Sequence, residues 1–293
     1  MRPIAIVTGA TSGIGAAVTA RLAKRGYRLL LVGRRRETLE ELARSLETAS
    51  QAASPETDSP RHLIASIDFA QPHAIESVIG AALPTDADAE VLINCAGIGL
   101  YRSFLECTAD DAARLMNVNY FAAAGLIRAT LPRMLKRGRG HIINIASISS
   151  KVGPWGHGSY SPAKAALVSL TQTLAAEYSG SGVHFSYVNP GIVDTAYFTN
   201  PDVASLWARV RGRAITADAV AKRIVRLIDR PKLELCVPRH YRALDWLLAI
   251  HPSLAHRVVA RQSRPHPDAR TIEPSPSTPL AHPAAPAVPI PPV

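Results

Sequence analysis

The sequence is poor in the residues that build several common kinds of site. Its three cysteines, Cys95, Cys107 and Cys236, show neither metal-ligand spacing nor a paired framework. That excludes a disulfide-stapled scaffold and points to reduced thiols and a cytoplasmic location. Cys95 and Cys236 fall in apolar stretches, where core packing is their expected role. The ten histidines contain no His-x-x-x-His pair and no Cys/His cluster, so no metal site is expected. Aromatic residues make up 5% of the chain and no basic run is interleaved with them, which argues against a nucleic-acid surface despite a net charge of +10. A phosphorylated cofactor, an anionic membrane or plain solubility accounts for that charge. No apolar run approaches the length of a membrane span, no charged-then-apolar leader precedes the first strand, and no repeat at solenoid spacing stands out.

What is present describes one soluble domain. The 293 residues are 47% hydrophobic and 19% charged, enough to bury one large core. Strands are expected near Ile4 to Val7, Arg28 to Val32, Leu63 to Ile67, Val91 to Cys95, His141 to Ala146, Val183 to Val188 and Leu233 to Val237, with helical stretches between them. This alternation predicts an α/β doubly wound parallel sheet with helices on both faces and ligands at the carboxyl ends of the strands. The domain is expected over residues 1–262. A proline- and alanine-rich tail over 263–293 reads as disordered, and Ala49 to Pro60 reads as a surface insertion.

The first strand runs directly into Thr8-Gly9-Ala10-Thr11-Ser12-Gly13-Ile14-Gly15 and then a helical stretch, Ala16 to Arg25. A strand, a glycine-rich turn and a helix N-terminus together hold a pyrophosphate on backbone amides, and glycines allow its close approach. The spacing is not G-x-G-x-x-G, so a plain tight turn is the alternative reading of this motif alone. Farther along, Tyr160 and Lys164 stand four apart, and Ser147 lies thirteen positions upstream of the tyrosine. On one helix face the ammonium is placed to lower the phenol's pKa and help it trade a proton; alone, such a pair is a solvated surface feature.

In this order the segments resemble those of the short-chain dehydrogenase/reductase family from Met1 to about Pro238. Thr8 to Gly15 resembles the family's cofactor loop, which implies dinucleotide contacts from Gly9, Thr11, Ser12, Gly13, Ile14 and Gly15. Asn94-Cys95-Ala96-Gly97 resembles its Asn-Asn-Ala-Gly turn with one change, and implies contacts from Asn94, Ala96 and Gly97. Asn189 to Thr195 resembles the Pro-Gly segment beside the nicotinamide, bringing in Pro190, Gly191, Val193 and Thr195. Asn119, Ser147, Tyr160 and Lys164 match the catalytic tetrad. The resemblance implies a Rossmann-like fold, a homodimer or homotetramer, and hydride exchange between a carbonyl and a secondary alcohol. Tyr160 then carries the proton, Ser147 donates to the substrate oxygen, Lys164 lowers the tyrosine pKa and binds the nicotinamide ribose, and Asn119 holds a relay water. Asn117 is the alternative to Asn119.

Cofactor choice is read at the end of the second strand, where NAD enzymes place an acidic residue on the ribose 2′-hydroxyl. Here the run is Val32-Gly33-Arg34-Arg35-Arg36, which favours the 2′-phosphate of NADP(H) over NAD(H) by charge and bidentate geometry. By resemblance Arg34 is the phosphate ligand and Asp68 the adenine contact; Arg35 and Arg36 also read as a solvated helix start. Past Val237 the chain departs from acyl-carrier-protein reductases of the family. Two helices are expected, Tyr241 to Ile250 and Ser253 to Arg261, with Leu244, Leu247, Leu248, Leu254 and Val258 forming a stripe beside Arg242, His256, Arg257 and Arg261. Packing against the domain or a dimer mate, peripheral membrane contact through residues 239–262, and a cap over the substrate channel are all open for this segment. It looks like the end of family members acting on lipid-like or steroid-like carbonyls. Ala196 to Ala214, expected to line the pocket, carries no readable motif. The competing function is a catalytically silent NADP(H)-binding scaffold or redox sensor.

Overall fold

A computed structural model describes residues 3–53, 61–84, 89–199 and 201–263. In chain order the strands are β1 (Ile4–Thr8), β2 (Arg28–Gly33), β3 (Leu63–Ser66), β4 (Ala89–Asn94), β5 (Gly140–Ile145), β6 (Val183–Pro190), β7 (Val193–Asp194), β8 (Ile215–Thr216) and β9 (Glu234–Val237). Seven of them pair in parallel in the order β3-β2-β1-β4-β5-β6-β9, and β7 pairs with β8 in a small separate sheet. The helices are α1 (Gly13–Lys24), α2 (Arg36–Ala53), α3 (Ile75–Ala82), α4 (Ala109–Met116), α5 (Ala122–Arg137), α6 (Tyr160–Glu177), α7 (Pro201–Val210), α8 (Ala217–Asp229), α9 (Ala243–Ile250) and α10 (Pro252–Ser263).

The sheet is buried on both faces, which is why its strands read as unbroken apolar runs. Successive side chains of β1 leave in opposite directions. Ile4 and Ile6 join Leu126, Ile127 and Leu131 of α5 in one core, while Ala5 and Val7 join Val18 and Leu22 of α1 and Val220 and Ile224 of α8 in the other. Because the strands are parallel, the chain leaves β1, β4, β5 and β6 along one rim. Gly9, Cys95, Ser147 and Gly191 all lie there.

Three local expectations are corrected. The stretch expected as a surface insertion from Ala49 is still helix as far as Ala53, and its residues 54–60 lie outside the described residues, as does the tail beyond Ser263. The helix expected over Leu115 to Leu131 is interrupted by a π-helical turn, Asn117–Phe121. The C-terminal stripe splits between two faces: Leu244, Leu247 and Leu248 turn partly inward, whereas Leu254 and Val258 are exposed together with Trp246 and Ile250.

Candidate active site

The rim of the sheet gathers the four expected catalytic residues. Ser147 follows β5, and its Oγ lies 2.7 Å from Ser149 Oγ while accepting from the Ser149 amide at 3.2 Å. Tyr160 is the first residue of α6 and Lys164 sits one turn later, buried at 4% exposure. Asn119 lies in the π turn at 1% exposure. A widened turn of this kind is where an otherwise poor helix former finds partners. Its Nδ2 donates to the Leu115 and Ile98 carbonyls at 3.0 Å each, and its Oδ1 accepts from the Ile98 amide at 3.3 Å. The neighbouring Asn117 is committed elsewhere, donating to the Ala70 carbonyl at 3.1 Å. Between these groups lies Gly97, where a Cβ would stand 2.8 Å from Asn119 Oδ1 and 3.2 Å from Lys164 Nζ.

Burial pushes the Tyr160 phenol up, partly opposed by hydrogen bonds to the hydroxyls of Ser147 and Tyr197. The Lys164 ammonium lies 6.0 Å from the tyrosine ring centroid and donates to the Ile145 carbonyl at 2.9 Å. Burial in turn lowers Lys164 itself to about 8 and raises the Cys95 thiol, beside it, to about 12. Spacing alone put lysine and tyrosine on one face; what it could not give was the carbonyl that claims the lysine's proton.

The glycine loop has the shape of an anion cradle. Gly9 and Gly13 adopt left-handed backbone (φ 63° and 52°), and a Cβ at Gly15 would run into the Gly9 carbonyl, so only glycine lets helix and strand pack this tightly. Ser12 caps α1 without a side-chain hydrogen bond and no acidic residue occupies the first turn, which leaves the amides and positive end of the helix open to a phosphate. Thr11 lies in the same loop, and Ile14 packs on the core beneath it. Opposite, Thr195 contacts the Gly13 position at 3.2 Å, and a Cβ at Gly9 would meet Ala96 at 3.2 Å. The residues present therefore fit a dinucleotide. Arg34 lies exposed just past the carboxyl end of β2, two residues before the start of α2, whereas Arg36 is paired with Glu40 at 2.9 Å. Asp68 follows β3, with Oδ1 accepting from the Ala70 amide at 3.1 Å. The Asn94 side chain points into the sheet and donates to Asn144 Oδ1 at 2.7 Å, leaving the backbone of Asn94 to Gly97 as the face toward the cradle. Pro190 ends β6, Gly191 donates to the Val237 carbonyl at 2.8 Å, and Val193 is buried in β7.

On the other side of Tyr160 the scarce aromatics are concentrated. Rings follow one another from Trp155 to Tyr101 (5.2 Å between centroids), His157 (5.7 Å), Tyr160 (5.4 Å), Tyr197 (6.5 Å), Phe198 (5.1 Å) and Trp207 (4.7 Å). Tyr197 was not anticipated. The signal available was an adjacent Tyr-Phe pair just past the Pro-Gly segment in a chain otherwise poor in aromatics.

The C-terminal helices are moored beside this wall at three points. Tyr241 packs on Gly191, the Trp155 amide donates to Ser263 Oγ at 3.0 Å, and Lys151 is ion-paired with both Glu234 and Asp245. Burial works against the charges, yet the pairing keeps Lys151 raised and Glu234 lowered. Glu234, Cys236 and Asp245 bring ligand-type atoms within 4.8 Å of one another, but the Lys151 ammonium answers the carboxylates.

A family model described as short chain dehydrogenase matches residues 3–203, so the chain belongs to that family. It is 29% identical over 267 residues to dehydrogenase/reductase SDR family member 7B of Bos taurus, covering 89% of this chain and 81% of the relative. Among solved structures it resembles a short-chain dehydrogenase from Sphingobium yanoikuyae in complex with NADPH, with 28% identity, a TM-score of 0.73 and coverage of 91% and 99% of the two chains. It also resembles the bulky-bulky ketone specific alcohol dehydrogenase from Comamonas testosteroni, with 25% identity, a TM-score of 0.68 and coverage of 92% and 98%. The protein is an NAD(P)-dependent dehydrogenase/reductase with a Rossmann-like sheet.

Proposed function

We propose that this enzyme interconverts a ketone and a secondary alcohol on a bulky hydrophobic substrate, prefers NADP(H), and uses Tyr160 as the group that gives and takes the proton. The observation that carries this reading is the convergence of Ser147, Tyr160, Lys164 and Asn119 at the mouth of a glycine cradle, with the Ser147 hydroxyl pulling the Tyr160 pKa down against its burial. The bound nicotinamide supplies or accepts the hydride. As charge grows on the carbonyl oxygen, Ser147 donates to it and Tyr160 transfers its proton. Lys164 is held to orient the nicotinamide ribose, and Asn119, fixed by three hydrogen bonds, to seat the relay water. Arg34, exposed beside Gly33 where NAD enzymes place a carboxylate, supports the 2′-phosphate preference, with Asp68 on the adenine.

The aromatic wall supports a large apolar substrate, as does the likeness to an alcohol dehydrogenase specific for bulky ketones. Trp246, Ile250, Leu254 and Val258 expose 72%, 64%, 44% and 38% of their surfaces on α9 and α10, where Arg242, Arg257 and Arg261 are also exposed. That combination supports peripheral contact of this segment with an anionic lipid surface from which apolar substrate is drawn. Among the described residues no helix is long and apolar enough to cross a membrane. Three free cysteines fit a cytoplasmic location, and the family's habit supports a dimer or tetramer.

The test is NADPH consumption over a panel of aryl, steroid and long-chain ketones. Tyr160→Phe should cut turnover at least about a hundredfold while NADPH still binds, because only the proton donor is lost. Near wild-type turnover in the variant refutes the assignment. Binding of NADPH without turnover of any substrate class by the wild type favours the silent scaffold.

A further inference from the structure

We propose that Tyr197 is a positioning residue for Tyr160, donating a hydrogen bond that holds the catalytic phenol in place and stabilises the phenolate left when its proton moves to substrate. The inference rests on the assignment of Tyr160 as the proton-transfer group and adds a second hydroxyl to it.

The seat of Tyr197 is built from several directions. The turn Ala196–Thr199 that carries it follows β7 directly, and the Tyr197 amide donates to Thr195 Oγ1 at 3.3 Å. Thr195 is the residue packed on Gly13 of the cofactor loop. On its outer side the ring lies 5.1 Å from Phe198, which rests on Trp207 at 4.7 Å. The hydroxyl end is pressed onto bare backbone at Gly99, where any Cβ would collide with the Tyr197 oxygen and ring. Gly99 is thus a notch that admits this phenol. From there the ring lies beside that of Tyr160, with the centroids 6.5 Å apart.

Among the described residues the titratable groups around Tyr160 come from several elements. On its own helix the Lys164 ammonium is committed to the Ile145 carbonyl. From the preceding loop comes His157, 5.4 Å away ring to ring, which burial keeps below the usual imidazole range. From the end of β4 comes Cys95, a thiol raised to about 12, and Cys107 Sγ is 3.0 Å from the Ser159 hydroxyl. The hydroxyls of Ser147 and Tyr197 are the two neighbours that pull the phenol's pKa down against its burial. Tyr197 is itself held well above the usual phenol range by burial and by Tyr160, so it remains a donor while Tyr160 ionises. In alcohol oxidation the substrate hydroxyl gives its proton to the Tyr160 phenolate as hydride leaves for the nicotinamide; in reduction both transfers reverse. Tyr197 keeps its own proton throughout.

The test removes one oxygen. In Tyr197→Phe the ionisation of Tyr160, isolated as the tyrosinate absorbance lost when Tyr160→Phe is added to each background, should move to higher pH by roughly one unit. Gly99→Ala, which leaves Tyr197 in the sequence but closes its notch, should produce the same alkaline displacement and is the second variant should the first fail to fold. In turnover, the pH profile of 1-phenylethanol oxidation with NADP+ should shift in the same direction, with kcat falling roughly tenfold at neutral pH and KM changing less. A merely structural tyrosine leaves the ionisation where it is, and an unmoved Tyr160 titration in a folded variant overturns the proposal. Because the titration needs no turnover, it is independent of whether the substrate class is right.

Discussion

Lys164→Met should make the protein more stable at neutral pH and useless as a catalyst. The ammonium is 4% exposed, and burial holds its pKa at about 8 instead of 10.5. A base depressed by that much costs the folded state about 3 kcal/mol wherever both folded and unfolded chains are protonated, that is, below pH about 8. Methionine nearly reproduces the stem and carries no charge, so it recovers this cost. It forfeits the 2.9 Å bond to the Ile145 carbonyl, worth about 1 kcal/mol. The net gain of about 2 kcal/mol raises Tm by about 4–8 °C for a domain of this size. Between pH about 8 and 10.5 the unfolded chain still holds the proton that the folded chain has shed, so wild-type stability climbs with pH across that window. The advantage of the variant should therefore shrink from pH 7 to pH 10 and vanish above it. Thermal or urea unfolding of both proteins at the two pH values measures this directly. A variant less stable than wild type at pH 7, or a difference indifferent to pH, refutes the argument. If it holds, the enzyme keeps a charge in its core that folding opposes and function requires.

Arg34→Ala should weaken NADPH by roughly tenfold to a hundredfold and NADH hardly at all, because only the former has a 2′-phosphate to lose; equal weakening, read by fluorescence titration, would reduce the arginines to a solvated helix start. Trp246→Ser combined with Ile250→Ser should leave Tm and NADPH affinity unchanged while lowering co-sedimentation with phosphatidylglycerol vesicles, since both side chains already face outward. Unaltered co-sedimentation, or a changed oligomer size by light scattering, assigns that face to protein packing instead.

Much of the frame could be read from the chain because its physics is local. Strands buried on both faces show as apolar runs, as at Ile4 to Val7 and Ile142 to Ile145, and the glycines are needed where backbone approaches backbone. Asn119, by contrast, was found by resemblance; the π turn that gives it three partners depends on Ile98 lying across from Leu115, a contact no window of sequence contains. Tyr197 was missed for the same reason, since its meaning lies in Gly99 and Tyr160, both far away along the chain. The C-terminal stripe misled because leucine spacing fixes which residues share a face but not which face is inward. Lys151 draws Asp245 toward the sheet, and Trp246, the next residue, is left largely exposed.

The last strand occupies an edge of the sheet, paired only with β6 among the described residues. In a parallel sheet this is the place where a strand can be exchanged without unpairing two neighbours, and the described residues that follow it lean on the domain from outside, through Gly191, Lys151 and Trp155. The proposed cofactor and proton-transfer residues, from Gly9 to Thr195, all precede that edge in the chain. A chain built this way can vary the surface that its last helices present without disturbing the seven-stranded frame beneath them.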